Sequence, residues 1–488
     1  RLKIKMPNGE IQLVAKAAQD IYLTNNPKIS FFKNVYKHHT NFSMELIRLE
    51  ANNHNTLLKE TEETEIEFKI DRNGDLINNM YFVFTLPDIY SNTTKKFQWI
   101  HRIGEYIIKE VSLNIGNSKI DTLYGQWLHI WNELTLDEGK TDGYNRMIGN
   151  VSDLYNPLKK DGSTYPGSTS VLPSIKSRNI IVPIPFFFTY NTGLSLPLIA
   201  LQYEEIKINF KLRPFQELYT IIDSSLRKKS PKQDSNYNLG IFTNHDSSST
   251  ISTLNITPNL EINYVFLDTA ERQKFAASNE IEYLVQTINL NQNLIISPET
   301  STDSTKTFNR VFDLQLTNPV SHLVWVIQRS DFESSNRFYN YTNWPNKTDD
   351  PIINANNYDD FATEDTVNAT IKNCLKNKHI LKQATLKLNG NNRFNEKDFE
   401  AFSYINNYQH MKKIPEDGIY SYSFGINYDI TKVQPNGSCN MSTFNTIQLE
   451  LKTSPSTSTN YVYNIFVYAI TYNILRIQSG TGNLSFSN

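Results

Sequence analysis

His38 and His39 stand side by side, close to Lys33 and Lys37, in the aromatic-rich stretch QLVAKAAQDIYLTNNPKISFFKNVYKHHTNFSMELI (12–47). Imidazoles ligate metals and move protons near neutral pH. Interleaved basic and aromatic side chains such as FFKNVYKHH can hold nucleic acid. Neither chemistry is favoured here. Adjacent residues of a helix or strand point in different directions, so the pair does not converge on one metal. One short basic stretch in a chain with 48 basic and 50 acidic residues more often packs than binds nucleic acid. The expectation is a polar surface at a helix end, with no direct nucleic-acid partner.

Carboxylate pairs are the next candidates: Glu62-Glu63, Glu204-Glu205, Asp349-Asp350 and Asp359-Asp360. A glycosidase needs two carboxylates facing each other across a cleft, which sequence neighbours do not supply by themselves. Glu205 lies on the polar face of an alternating strand, a solvated pattern. Cys374 and Cys439 are too few for a disulfide framework and lack the histidine spacing of a zinc site, which fits a reducing compartment. The glycines of SGTGNLSFSN have no strand–loop–helix context, and neither a phosphate-binding loop nor a G-x-S-x-G elbow occurs. N-x-[ST] sequons begin at Asn41, Asn92, Asn150, Asn255, Asn340, Asn346, Asn368, Asn436, Asn440 and Asn483. An Asn- and Ser/Thr-rich chain produces these by chance, so no glycan is expected. No catalytic residue, cofactor-binding residue, cofactor or metal ligand is assigned, and no enzyme activity is expected.

The elements behind these residues are mostly strands. EIEFKI (65–70), KEVSLNIGN (109–117), EEIKINFKL (204–212) and TIQLELK (446–452) alternate apolar and polar residues. A strand with one dry and one wet face belongs to an antiparallel sheet. Helical signals are short. NNPKISFFKNVYKHH has Asn26 as an N-cap and Pro27 at the first helical position. LYGQWLHIWNEL places Trp127, Ile130, Trp131 and Leu134 on one face. DTAERQKFAAS sets Asp268 three residues before Glu271, a capping-box pattern.

At 488 residues the chain exceeds one ordinary core. A mean hydropathy of −0.47 opposes a membrane protein. The longest apolar run, IIVPIPFFF (180–188), is broken by two prolines and is too short to span a bilayer. The N-terminus RLKIKMPNGEIQ has no apolar signal core, and its first residue, Arg1, implies that a short leader is missing or was removed. Long stretches rich in Gly, Pro, Ser, Asn and Asp cover roughly 137–175, 223–257 and 333–370, and read as surface loops or linkers. The chain therefore reads as all-β: an N-terminal segment, a first β-domain to residue 213, a linker over 214–257 and a second β-domain over 258–488. Two consecutive eight-stranded antiparallel jelly-roll sandwiches with short inserted helices fit this pattern.

The opening stretch closely resembles the N-terminal signature of the major capsid proteins of nucleocytoplasmic large DNA viruses. IGEYIIKEVSLNIGNSKIDTLYGQWLHIWNELT (103–135), VPIPFFFTYNTGLSLPLIALQYEEIKINFKLR (182–213), INYVFLDTAERQKFA (262–276), NPVSHLVWVIQ (318–328), LNGNNRF (388–394), YQHMKKIPEDGIYSYSF (408–424), QPNGSCNMS (434–442) and YAITYNILRIQSGTGNLSFSN (468–488) are similar to later blocks of that family, in family order. Two places depart from it: RLKIKMPNGEI replaces a glycine-rich start, and AKAAQD replaces an AYGAQD-like segment.

The resemblance implies a double jelly-roll virion protein that forms a homotrimer of nearly hexagonal outline and tiles an icosahedral shell assembled in the host cytoplasm. Its implied partners are neighbouring capsomers, minor capsid and penton proteins, and inner-membrane-associated proteins beneath the shell. Residues 1–25 would be a base or anchor segment, and 26–213 and 258–488 the two jelly rolls. Phe31, Phe32, Val35 and Tyr36 would pack under the first jelly roll, with Lys33, Lys37 and His38 facing neighbours. Pro183 and Pro185 suit a strand entrance or edge, and Phe186 to Phe188 a core or a trimer contact. Two other readings stay open: a poxvirus-like scaffold of the same fold, and a carbohydrate-binding jelly roll.

Overall fold

A computed structural model describes residues 8–52, 56–91, 96–155, 173–222, 228–233, 237–243, 250–278, 280–299, 306–344, 346, 378–426, 434–456 and 460–486. The chain divides into two compact units, Arg1–Asn41 and Phe42–Asn488.

The first unit holds the helices Asn8–Val14 and Asp20–Thr24. The helix expected from Asn26 onwards is absent. Asn26 takes a left-handed φ of 49°, and residues 27–41 have no regular structure. A helix of about a dozen residues is marginal unless tertiary packing supports it, and every residue from 27 to 41 is exposed.

In the second unit, eight strands form one sandwich: β1 Phe42–Glu50, β2 Thr64–Lys69, β3 Leu76–Leu86, β4 Ile108–Ile115, β5 Ser118–Tyr124, β6 Arg178–Pro183, β7 Ile206–Leu212 and β8 Asn259–Leu267. One sheet runs β1-β8-β3-β6 and the other β2-β7-β4-β5, all antiparallel. Eight strands form the main paths of the second sandwich, beside the short Lys397–Asp398, Cys439–Asn440 and Thr481–Leu484: β9 Glu280–Ile296, β10 Phe308–Asp313, β11 Pro319–Arg329, β12 Leu381–Leu388, β13 Asn391–Asn392, β14 Ile419–Ser423, β15 Ile447–Thr453 and β16 Tyr463–Gln478. Their sheets run β9-β16-β11-β14 and β10-β15-β12-β13. The second order is the first with eight added to each number, so the chain builds a double jelly roll by repeating one topology.

Alternation explains most strands. In β2, Ile66 and Phe68 are buried, while Glu65 is exposed and Glu67 half-buried; β7 and β15 alternate in the same way. A fully buried side chain of this size contributes about 1.5–3 kcal/mol. By contrast, β11 is buried along its whole length after its first residue. Trp325 and Ile327 fill the second core, while Val324 and Val326 join the first. In β16, Ile465 and Val467 likewise point to the second core, and Tyr468 and Ile470 to the first. One face of this sheet lines its own sandwich and the other abuts its neighbour, so the run HLVWVIQ cannot alternate.

The strand at 259–267 corrects the expected boundary. It pairs with β1 over nine residues, from Phe42↔Leu267 to Glu50↔Asn259, and with β3 on its other side. It is the eighth strand of the first sandwich, not the start of the second. Residues 214–257 therefore connect β7 to β8 within that sandwich, and they carry the short strands Tyr219–Ile222 and Thr253–Asn255. A jelly roll needs its last strand beside its first, so this connection must cross the sandwich end and can be long.

Other expectations hold. Helix Gly125–Thr135 buries Trp127, Ile130, Trp131 and Leu134. Helix Thr269–Ala277 is capped by Asp268, whose side chain accepts from the Thr269 N–H at 2.8 Å. Pro183 ends edge strand β6, and Phe186, Phe187 and Phe188 are buried in the first core.

Candidate assembly surfaces

The largest convergence of functional side chains lies where the two sandwiches meet. The first sandwich supplies β5 and the helix Gly125–Thr135 that follows it. The second supplies the outer face of the β9-β16-β11-β14 sheet. The Trp127 and Tyr468 rings pack 5.0 Å apart, and the Tyr468 hydroxyl donates to Gln126 Oε1 at 2.7 Å. The Ile288 N–H in β9 donates to Asp121 Oδ1 in β5 at 3.3 Å. Asn336 donates to the carbonyls of Gln216 and Tyr219, at 3.0 and 2.8 Å. The Gly482 N–H donates to Glu204 Oε2 at 2.8 Å. Asp121 and neighbours including Ile288, Leu290 and Phe486 line a cavity of about 740 Å³ at the rim of this junction.

A buried polar cluster sits beside it. Arg102, itself at a left-handed φ of 54°, pairs with Glu133 and lies 3.5 Å from Glu105. Lys413 of the second sandwich reaches Glu133 at 3.0 Å. Glu105 Oε1 accepts from the Tyr144 hydroxyl at 2.6 Å. The Tyr106 hydroxyl lies 2.6 Å from His129 Nδ1 and 2.9 Å from the Tyr341 hydroxyl, linking both sandwiches. Burial pushes the Glu105 carboxyl up against the pull of Arg102. Burial, then Arg102 and Lys413, drive His129 well down, so its ring is neutral. Burial raises Asp121 to about 7, against two backbone N–H donors and Lys119. The Tyr106–Tyr341 and Lys413–Glu133 contacts join the two sandwiches through this buried cluster.

The sequence candidates are not brought together. His38 packs edge-on to Tyr36, and His39 Nδ1 lies 2.7 Å from the Thr40 carbonyl. Among the described residues no group of three or more His, Cys, Asp or Glu could hold a metal ion. Phe31, Phe32, Val35 and Tyr36 are exposed. Glu62 pairs with Lys59, whose hydrogen bond holds it below the usual carboxylate range. Burial pushes Glu63 up, but Lys109 and Lys211 outweigh it. Glu205 pairs with Lys69 at 2.6 Å, and the hydrogen bond holds its carboxyl down. Glu63 and Glu205 belong to a ladder of opposite charges on the outer face of the β2-β7-β4-β5 sheet, with Lys207–Glu67 and Lys119–Glu110. Asp349-Asp350, Asp359-Asp360, Cys374, Asn92 and Asn368 lie outside the described residues. Asn340 and Asn346 are buried. Cys439 is half-buried in a short strand paired with Val320.

Sequence reasoning missed the junction residues Asp121, Tyr106, His129 and Tyr341. Their one local signal was position: Tyr106 and His129 lie inside the blocks IGEY and GQWLHIWNEL.

A family described as major capsid protein N-terminus matches residues 30–268, and one described as large eukaryotic DNA virus major capsid protein matches 271–483. The chain is 31% identical to the major capsid protein of Pyramimonas orientalis virus and 30% identical to that of Phaeocystis pouchetii virus, covering 99% of this chain and 100% of each relative. The PBCV-1 virus capsid superposes with a TM-score of 0.67 at 25% identity, over 94% of this chain and 100% of that one. The Faustovirus major capsid protein shares the fold, with a TM-score of 0.65 at 13% identity over 95% and 94%.

Proposed function

The chain belongs to the major capsid protein family of large eukaryotic DNA viruses, as a structural subunit of the virion capsid, and from that premise we propose that three copies close into a trimer that is the building block of the shell. The observation that carries this reading is the repeated strand order. Two like sandwiches per copy and three copies per ring give six like wedges, an outline that packs hexagonally. Closed rotational symmetry then satisfies every lateral contact. An obligate contact of this kind buries on the order of 2,000 Å² or more.

The two jelly rolls of the proposed subunit span residues 42–267 and 280–484. Support comes from the pairing of β8 with β1 and from the family matches, which end at 268 and resume at 271. Membership of a capsid family supports a structural, non-enzymatic role for the subunit. The exposed apolar and basic side chains of residues 21–37 suit docking to minor capsid or membrane-associated proteins beneath the shell, and assembly takes place in the host cytoplasm. Light scattering on the purified protein near neutral pH tests the trimer. A mass three times 56.4 kDa that survives dilution is expected; a monomer at high concentration would refute it.

A further inference from the structure

We propose that His101 and His129 form an acid-sensitive latch between the two sandwiches, closed while both rings are neutral and opened when they take up protons. The latch lies within one copy of the chain and does not depend on the trimer.

One geometric motif occurs twice. Tyr339 and Tyr341, two residues apart in the segment that follows β11, each lay a ring against a histidine of the first sandwich. His101, in the connection from β3 to β4, stacks on Tyr339 at 4.5 Å and on Tyr155 of its own sandwich at 3.8 Å. His129, on helix Gly125–Thr135, lies 5.7 Å from the Tyr341 ring at an interplanar angle of 25°. Its Nδ1 meets the Tyr106 hydroxyl, which continues to the Tyr341 hydroxyl. Its Nε2 is buried and has no hydrogen-bond partner among the described residues. A neutral ring tolerates one idle nitrogen. A charged ring donates from both, so it would bury a charge and an N–H that nothing accepts.

The charges that reach the two rings are cationic. Lys228, from the connection between β7 and β8, and Arg337, from the segment after β11, act on His101 together with Arg102. Arg102 and Lys413 act on His129. The neighbouring anions Glu105, Glu133 and Glu416 all lie on Arg102, and Glu133 also on Lys413. Burial first, and then these cations, hold both imidazoles well below the ordinary 6.5. A proton on either ring adds charge to a cationic site, and parting the sandwiches relieves it. The sign follows. The closed junction has its full stability above 6.5 and loses it as pH falls further. Each histidine shifts the opening equilibrium by up to about tenfold per pH unit, and the two together by up to about a hundredfold. Asp121 acts in the opposite sense, since its share is lost as pH rises.

Hydrogen–deuterium exchange of the full chain, read by mass spectrometry from about pH 7.5 down to about pH 5 and corrected for the intrinsic exchange rate, tests the latch. Peptides over helix Gly125–Thr135 and over residues 337–341 report the junction, and peptides over β2 and β7 report the first sandwich itself. Junction opening should rise with acid by about tenfold to a hundredfold while β2 and β7 stay protected. The double variant His101→Phe, His129→Gln keeps a ring on Tyr339 and a partner for Tyr106 but has nothing to titrate. It should cut the rise at least about tenfold, because acid responses from other groups, His322 among them, are common to both proteins. If the double variant does not fold, each single variant should lose about half of the response on a logarithmic scale. A wild-type junction indifferent to acid, a rise shared equally by β2 and β7, or variants that respond as the wild type does would each overturn the latch.

Discussion

The Asp121 carboxylate, on the strand that runs into helix Gly125–Thr135, accepts the backbone N–H of Ile288 from the other sandwich at 3.3 Å. One side chain therefore caps a free strand edge across a domain junction. Burial raises that carboxyl to about 7, although the Ile288 and Thr122 N–H groups favour its charged form.

This makes the junction pH-sensitive in a stated direction. Between the ordinary carboxylate value of 3.8 and about 7, the folded chain holds a proton at Asp121 that the unfolded chain has released. The Asp121 contribution is therefore fully present below 3.8 and is lost as pH rises through 7, with a slope of up to about 1.4 kcal/mol per pH unit. Asp121→Asn keeps the acceptor and removes the titration. Urea unfolding of both proteins should show near-equal stability at pH 4, and the variant gaining on the wild type up to pH 8.

Tyr106→Phe should destabilise the protein by about 1–3 kcal/mol, because His129 and Tyr341 each lose a partner in a buried site. Chemical denaturation gives the size. Limited proteolysis between the sandwiches should become faster, since this hydroxyl bridges residues 235 positions apart.

Arg102→Met should cost more, about 3–5 kcal/mol, because it leaves Glu105 buried without its cation and Glu133 with Lys413 alone. Lys69→Met, which breaks an exposed pair with Glu205, should leave the thermal midpoint unchanged. Differential scanning calorimetry of the two variants side by side separates the cases.

Gly125→Ala should abolish soluble expression or lower the unfolding midpoint sharply. A Cβ there would stand 2.1 Å from the Ile108 carbonyl oxygen and 2.5 Å from that of Glu105, and backbone cannot yield that far. Gly139→Ala, with open space around it, is the matched control.

Strands were legible where one face is wet. Ile66, Phe68, Ile208 and Phe210 announce themselves by alternation because their neighbours meet solvent. The junction was not legible, because its contacts join residues far apart: Asp121 and Ile288 are 167 positions apart, and nothing near either signals the other. The segment 26–39 was misread for the opposite reason. Asn26 and Pro27 are good local helix signals, but no core is there to reward the turn they would start. Residues 214–257 look like a linker because a long crossover has linker composition, and only the pairing of Leu49 with Leu260 reveals that the strand after it returns to the first sandwich.

The nesting of first strand against last also sets a timetable on the ribosome. Strand β1 cannot find its neighbour until residue 267 has emerged, and β9 waits for β16, which begins at Tyr463. At roughly 5–20 residues per second, that second wait lasts on the order of 10 to 30 s. During it a 17-residue strand, rich in isoleucine and leucine, sits unpaired in the nascent chain. A product truncated before Tyr463 would lose an interior strand of its sheet. The second sandwich thus closes only once β16 has emerged, which is where chaperone capture has most to offer.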